Sequence, residues 1–365
     1  MWRAVVTRTG LAWTLALAVG CAEEDPPGNG PSQDSAKTLT LARSQHAAVL
    51  LPSGRVLVSG GVASGGLSSR LRGSELYDPA TGAWSLTGSM NDPRNTHAAV
   101  LLPSGKVLVI GDASVSNTAE LYDPERRTWE RTAPMRSGRQ YPQALLLPSG
   151  RVLVVGGDPG DPATPSGVEL YDPATGTWTA TGSGSGRVMR PALVLLPSGK
   201  VLLSGGGYGA PVAGAGLYDP ATGTWSSTGA MLTPHLGHKA TVLPSGKVLA
   251  VGGTGTGGGA LATAELYDPD AGTWSSAAFM AQARRDHTLT LLPSGKVLVT
   301  GGSNDTGTLA TAELYDPATD TWSSARPMAE PRSSHTSTLL PSGEVLLAGG
   351  NNGDQSLGTS ELYTP

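Results

Sequence analysis

Apolar residues occur along this 365-residue chain in short runs separated by polar turns. The runs within residues 97–102 and 106–110 are typical, and each is followed by Pro or Gly. Runs of this length with such boundaries predict short antiparallel β-strands. Because no window keeps the 3.6-residue periodicity of an amphipathic helix, the pattern predicts an all-β protein.

Four landmarks recur at intervals of roughly 48 residues, a repeat length that is typical of a four-stranded propeller blade. The first is Leu-Pro-Ser-Gly, with its proline at Pro52, Pro103, Pro148, Pro197, Pro244, Pro293 and Pro341. The second is a glycine pair that begins at Gly60, Gly156, Gly205, Gly252, Gly301 and Gly349, with Gly111-Asp112 as the variant. The third contains a tyrosine, at Tyr77, Tyr122, Tyr171, Tyr218, Tyr267, Tyr315 and Tyr363. The fourth is a tryptophan seven residues after every tyrosine but the last, at Trp84, Trp129, Trp178, Trp225, Trp274 and Trp322.

The glycine pair, the tyrosine and the later tryptophan resemble the Kelch motif, and the resemblance covers residues 37–365. It implies a seven-bladed β-propeller similar to the central domain of galactose oxidase. The last repeat lacks a tryptophan strand, which would leave an open sheet edge. We expect residues 37–41 to pair into the last blade as its fourth strand and close the ring. The repeated aromatic residues and glutamates are interpreted as scaffold, with Gly216 in place of one glutamate.

The first 21 residues have the pattern of a bacterial export signal. Arg3 and Arg8 precede an apolar run of about 10 residues, whereas a membrane span needs roughly 20. Residues 17–21 resemble a lipobox, which implies lipidation of Cys21; plain secretion is the alternative. Residues 22–36 are polar, rich in Pro and Gly, and predict a flexible tether. Because Ala22 and Glu23 do not indicate retention in the inner membrane, we expect a lipid anchor in the outer membrane.

Charge and cysteine content exclude several classes of function. The net charge is −4 and the basic residues are scattered, so nucleic acid is not an expected partner. Cys21 is the only cysteine, so the mature domain has no internal disulfide. Resemblance to galactose oxidase would imply copper with a Cys-Tyr cross-link, which this cysteine does not offer. We predict no cofactor, no resident metal and no catalytic residues, and a monomer.

The loops that join the second strand to the third, and one blade to the next, differ among repeats and share one face of the propeller. We call this the variable-loop face, and loops on a rigid scaffold commonly carry function. An Arg-x-x-His signature recurs there, and it contains all six histidines of the chain. The candidate site residues are Arg43, His46, Arg94, His97, Arg139, Arg190, His235, His238, Arg284, His287, Arg332 and His335.

These residues have two interpretations. Because they precede the innermost strands, they could ring the mouth of the central channel and bind anionic groups, for which arginine is well suited. Alternatively, they hydrogen-bond neighbouring blades and only hold the ring together. Our first hypothesis is a cell-envelope binding module that docks a protein or a polysaccharide. A carbohydrate-active enzyme of mutarotase or lyase type and a structural envelope protein are the alternatives.

Overall fold

The computed structural model describes residues 38–64, 69–112, 114–157, 167–182 and 188–365. Each repeat forms one antiparallel sheet with its strands in chain order. The first strand of each blade is innermost, and neighbouring first strands contact one another around a ring that includes blades 7 and 1. The predicted all-β, seven-bladed propeller is confirmed. No helix within the described ranges is long and apolar enough to cross a membrane.

The strands of blades 1 to 3 are Ala47–Leu50, Val56–Ser59, Ser74–Asp78 and Ala83–Thr87; Ala98–Leu101, Val107–Ile110, Ala119–Asp123 and Thr128–Thr132; and Gln143–Leu146, Val152–Val155, Val168–Asp172 and Thr177–Thr181. Those of blades 4 and 5 are Ala192–Leu195, Val201–Ser204, Ala215–Asp219 and Thr224–Ser227; and Lys239–Val242, Val248–Val251, Ala264–Asp268 and Thr273–Ser276. Those of blades 6 and 7 are Thr288–Leu291, Val297–Thr300, Ala312–Asp316 and Thr321–Ala325; and Thr336–Leu339, Val345–Ala348 and Ser360–Tyr363. Two short hairpins add Gly207–Tyr208 with Ala210–Pro211 and Ser303–Asn304 with Gly307–Thr308.

The hydrophobic core lies between blades. The second strand of every blade is buried on both faces, which explains its unbroken Val/Leu run. Between blades 1 and 2, for example, Leu57 packs with Val107 and Tyr122. The Tyr122 hydroxyl also shares a 2.7 Å hydrogen bond with Thr87 of the preceding blade. Trp129 donates to the carbonyl of Gly88 at 2.9 Å. The repeated aromatic residues therefore join blades, as the sequence predicts.

Residues 38–41 close the ring, but they do not form the predicted fourth strand of blade 7. In the described residues that blade has three strands, and Lys37 lies outside them. Leu39 instead packs between blades 7 and 1, and its N–H donates to the carbonyl of Gly358 at 2.6 Å. Met90 does the same between blades 1 and 2, where its N–H donates to the carbonyl of Arg72.

Segment 38–41 is thus the equivalent of an interblade link. The signal segment and the tether predicted for residues 1–21 and 22–36 lie outside the described residues. Blade 1 nevertheless contacts blade 7 directly, since Trp84 donates to the hydroxyl of Ser360 at 2.9 Å.

Candidate functional site

The glycine pair brings consecutive blades together on the variable-loop face. Gly61 has φ +99°, and its N–H donates to the carbonyl of Arg94 in the next blade at 2.7 Å. A Cβ on Gly61 would lie 2.6 Å from the carbonyl oxygen of Ser44, so a larger residue would force the two segments apart. Gly350 makes the same contact to the carbonyl of Arg43 at 2.8 Å, which continues the pattern across the ring closure. These bonds fix where the Arg-x-x-His segment begins.

The first position of that segment, which we call the arginine slot, is buried and holds its blade together. Arg284 shows the arrangement: it donates to the carbonyl of Gly301 at 2.7 Å and to the carboxylate of Glu313 at 2.8 Å. Glu313 also accepts from the backbone N–H groups of Ala281 and Gln282, so the pair fastens the interblade link to the sheet. Equivalent ion pairs are Arg43–Glu75, Arg94–Glu120 and Arg139–Glu169, at 2.7, 3.0 and 2.7 Å.

Two blades vary this pairing. Arg332 is bound to Glu330 at 2.8 Å, two residues earlier in its own link. His235 occupies the slot in blade 5 and contacts Glu265 at 3.2 Å. The slot arginines are between 0 and 1% exposed. Their geometry matches the alternative in which these residues hold the scaffold, because each charge is already paired and hydrogen-bonded inside a blade.

The histidines bind the preceding blade. His97 and His238 contact the hydroxyls of Ser59 and Ser204 at 3.2 and 3.1 Å. His46 contacts Thr336 across the ring closure at 3.0 Å. His335 contacts Thr288 and Thr300 at 3.2 and 3.0 Å, and His287 has no hydrogen-bond partner among the described residues.

These five histidines are uncharged at neutral pH. Burial, followed by nearby positive charges, lowers the pKa of His97, His238 and His335 to about 3. The same causes hold the pKa of His46 and His287 well below the usual range. These five histidines therefore do not form a ring of imidazolium ions at the channel.

Blade 4 departs from the others. The N–H of Gly157 donates to the carbonyl of Val188 at 3.0 Å, as Gly61 does to Arg94, so Val188 fills the arginine slot of this blade. The matching glutamate is replaced by Gly216. Arginine and glutamate are thus absent together, which avoids leaving one buried charge unpaired. Arg190 lies two residues beyond the slot, at a position that faces the channel.

Arg190 belongs to a ring of seven equivalent residues at the channel mouth. We call them the mouth ring, and they are Gln45, Thr96, Tyr141, Arg190, Gly237, Asp286 and Ser334. All seven have positive φ, between 51° and 69°. Successive backbones are joined by hydrogen bonds, for instance Thr96 N–H to the carbonyl of Gln45 at 2.9 Å and Ser334 N–H to that of Asp286 at 2.8 Å. The surrounding structure therefore holds an unfavourable backbone conformation at this ring.

The charged side chains of the mouth lie together on one side. The guanidinium of Arg190 is 4.5 Å from the ring centre of Tyr141 and 3.5 Å from the carboxylate of Asp286. It passes over Gly237, where an added Cβ would lie 3.8 Å from the arginine side chain. Lys239 lines the same cavity and is exposed to it. Its pKa is lowered, mainly because the channel walls displace water, and Arg190 adds to this while Asp286 opposes it.

The cavity at the mouth has a volume of about 420 Å³, within the range of roughly 300–1,000 Å³ that is usual for ligand sites. The structure thus brings Arg190 and the five histidines to the cavity walls, while the slot arginines lie inside the blades. The mouth ring was not predicted from the sequence. One signal was present: the position before the histidine, or before the proline that replaces it in blades 3 and 4, holds a different residue in every repeat.

The polar residues of the variable loops do not form a cation site in the described structure. Among the described residues, no three His, Cys, Asp or Glu side chains are placed to hold a metal ion. Asn351 and Asn352 accept hydrogen bonds from backbone N–H groups two and three residues further on, which is ordinary turn structure. The loop that contains Asp158 and Asp161 lies outside the described residues.

Comparison with known proteins supports the Kelch repeat and the propeller. One Kelch motif family matches residues 236–280 and 290–329, and a second matches residues 93–136. No curated protein matches the sequence. A solved structure of a fungal alcohol oxidase of the AA5 family, in complex with copper, is similar with a TM-score of 0.74 and 20% identity. The similarity covers 90% of this chain and 75% of that one. At this identity it shows the fold alone: a seven-bladed β-propeller built of Kelch repeats.

Proposed function

We propose that this protein is a binding module that recognises a protein or a polysaccharide on its variable-loop face, with the mouth ring at the centre of the site. One observation carries the proposal: the seven equivalent positions of the mouth ring hold seven different residues. The slot and the histidine position on either side are repetitive, because they hold the blades. Six different side chains and one glycine serve no common packing role, but they create an asymmetric surface on a rigid frame.

The chemistry of the mouth is consistent with recognition. Tyr141, Arg190 and Asp286 offer an aromatic face, a cation and an anion within a few ångströms of one another. The backbone of these residues is held at positive φ without a ligand, so binding does not require a mobile backbone to become ordered. Kelch-repeat propellers in general mediate protein interactions, and the Kelch motifs of this chain agree with such a role.

Affinity capture with a matched pair of variants tests the proposal. The full chain and its Arg190→Ala variant are exposed to envelope and extracellular-polymer extracts. The control is Arg151→Ala: Arg151 lies in a Pro-Ser-Gly loop on the opposite face, where its half-exposed side chain pairs with Asp172 at 3.2 Å. We expect a ligand that is retained by the parent and by Arg151→Ala but lost by Arg190→Ala. Equal capture by all three proteins would contradict a binding site at the channel mouth. Turnover of a captured sugar would favour the alternative, a carbohydrate-active enzyme.

Export and anchoring through Cys21 are part of the same proposal. The support is the apolar run and lipobox-like segment of residues 11–21, which lie outside the described structure. A lipid on Cys21, followed by a polar tether, would place the propeller at an envelope surface, in reach of polysaccharides and envelope proteins.

A further inference from the structure

Among the described residues that line the mouth cavity, Lys239 is the charged side chain that forms no ion pair. It is the first residue of the inner strand of blade 5, where other blades have Ala, Gln or Thr. Within the described part of the chain, its ammonium group makes no hydrogen bond and no ion pair, although the side chain is exposed to the cavity. The cavity walls displace part of the water around this ammonium group, and no carboxylate within ion-pair distance replaces that water.

The charges around Lys239 leave a net positive cavity. Arg190 and Asp286 pair with each other at 3.5 Å, so their charges largely cancel. The other titratable groups near Lys239 are His238 in its own blade, His287 in blade 6 and His335 in blade 7, which are neutral at pH 7. Two cations and one anion therefore give the described lining a net charge of +1. A ligand that brings one negative charge would complete it.

The rest of the lining favours hydroxyl groups over apolar side chains. Gln45 and Gln143 supply amides, and Ser334 supplies a hydroxyl. The apolar lining residues are mostly alanine and proline, and Leu193 is the one large aliphatic residue among those described. An acidic peptide would find no pocket for apolar side chains here, whereas a sugar ring could satisfy several polar groups at once.

We propose that the mouth cavity binds an acidic sugar unit, with its carboxylate against the Lys239 ammonium and its hydroxyls toward the polar side chains around it. This inference rests on the proposed binding function, and it specifies the ligand class of that site. A carboxylate on Lys239 would form a charge-assisted hydrogen bond in a partly dehydrated cavity, where such bonds are stronger than at an open surface.

Titration calorimetry with galacturonate and with galactose, its neutral parent sugar, tests the inference on the full chain. We expect galacturonate to bind at least about tenfold more tightly than galactose, since hydrogen bonds to charged groups are the stronger class. Lys239→Gln should abolish that preference, and Lys239→Arg should restore part of it. The control, Lys247→Gln, lies on the opposite face in an exposed pair with Asp268 and should change nothing. Melting curves establish that each variant is folded, which we expect because Lys239 has no bond to lose.

The outcomes separate this inference from the proposed function. Equal binding of the two sugars, an unchanged preference in Lys239→Gln, or tighter binding of a glutamate-rich peptide than of galacturonate would overturn the acidic-sugar assignment. If galacturonate fails to bind while Arg190→Ala still loses the captured ligand, the binding module stands and the ligand class is wrong. If neither effect is seen, both proposals fail.

Discussion

The buried ion pair of blade 6 can be replaced by the residues that blade 4 already uses. The changes are Arg284→Val, Glu313→Gly and the two combined, which copy Val188 and Gly216. In the parent, the side chain of Arg284 is fully buried and that of Glu313 is nearly so, and the guanidinium nitrogen lies 2.8 Å from the carboxylate oxygen. Arg284→Val removes the guanidinium and leaves a buried carboxylate held only by the N–H groups of Ala281 and Gln282.

The expected loss of unfolding free energy depends on which buried charge each variant leaves unpaired. Breaking a buried pair by removing one partner typically costs about 3–5 kcal/mol of unfolding free energy, so each single variant should lose that much. The double variant leaves no unpaired charge. It loses hydrogen bonds to the carbonyl of Gly301 and to the link, which are worth about 1 kcal/mol each. We therefore expect the double variant to be no less stable than Arg284→Val alone, so that the two changes are far from additive.

Urea unfolding of the four proteins, followed by fluorescence and by circular dichroism, measures this coupling. Agreement of the two probes establishes the two-state behaviour that the comparison needs. As a control, Lys296→Ala breaks a 3.0 Å pair with Asp316 that is partly exposed, and should change stability by less than about 1 kcal/mol. If the double variant instead loses the sum of the two single losses, the slot arginines do not act through their glutamates, and our reading of blade 4 is wrong.

Four further predictions follow from the geometry. Gly302→Ala should lower the melting temperature much more than Gly343→Ala. The two glycines have similar φ values of +93° and +88°, but a Cβ at Gly302 would lie 2.6 Å from the Arg285 carbonyl oxygen, whereas Gly343 faces open space. Equal shifts would contradict the close approach. Leu39→Ala should lower the free energy of unfolding in urea by about 2–5 kcal/mol, because it leaves a cavity between blades 7 and 1. A loss below about 1 kcal/mol would show that residues 38–41 do not stabilise the ring closure. Because three channel histidines have a folded pKa of about 3 against 6.5 when unfolded, the unfolded state binds more protons between those values. Their contribution to the free energy of unfolding is therefore complete above pH 6.5 and falls as pH drops toward 3. Urea midpoints measured over this pH range should decline faster in the parent than in His335→Gln, and equal declines would refute this. Finally, Cys21→Ser should abolish incorporation of labelled fatty acid in a bacterial host and release the protein from membranes. Continued labelling of the variant would place the lipid elsewhere, and an unlabelled parent would make the chain a secreted protein.

The local pattern of the sequence was sufficient to predict the blades. Short apolar runs punctuated by Pro-Ser-Gly and by glycine pairs specify strands and turns over a few residues, and seven copies specify a closed ring. Gly61 and its equivalents could be recognised as turn residues because only glycine tolerates positive φ at a close contact. The same repetition identified the tyrosines, tryptophans and glutamates as scaffold, and the contacts of Tyr122 and Trp129 between blades agree with this.

What repetition could not decide was where a side chain points and which part of another repeat it meets. The sequence placed Arg94 and Arg190 in one set, but backbone hydrogen bonds between different repeats put the first inside a blade and the second at the channel mouth. It also assigned residues 37–41 to a strand, whereas the position of residues 38–41 relative to Arg43 makes that segment an interblade link. Strands and turns depend on neighbours along the chain, so the sequence determines them directly. The mouth ring exists only when seven distant segments converge, and that convergence is set by the packing of the blades.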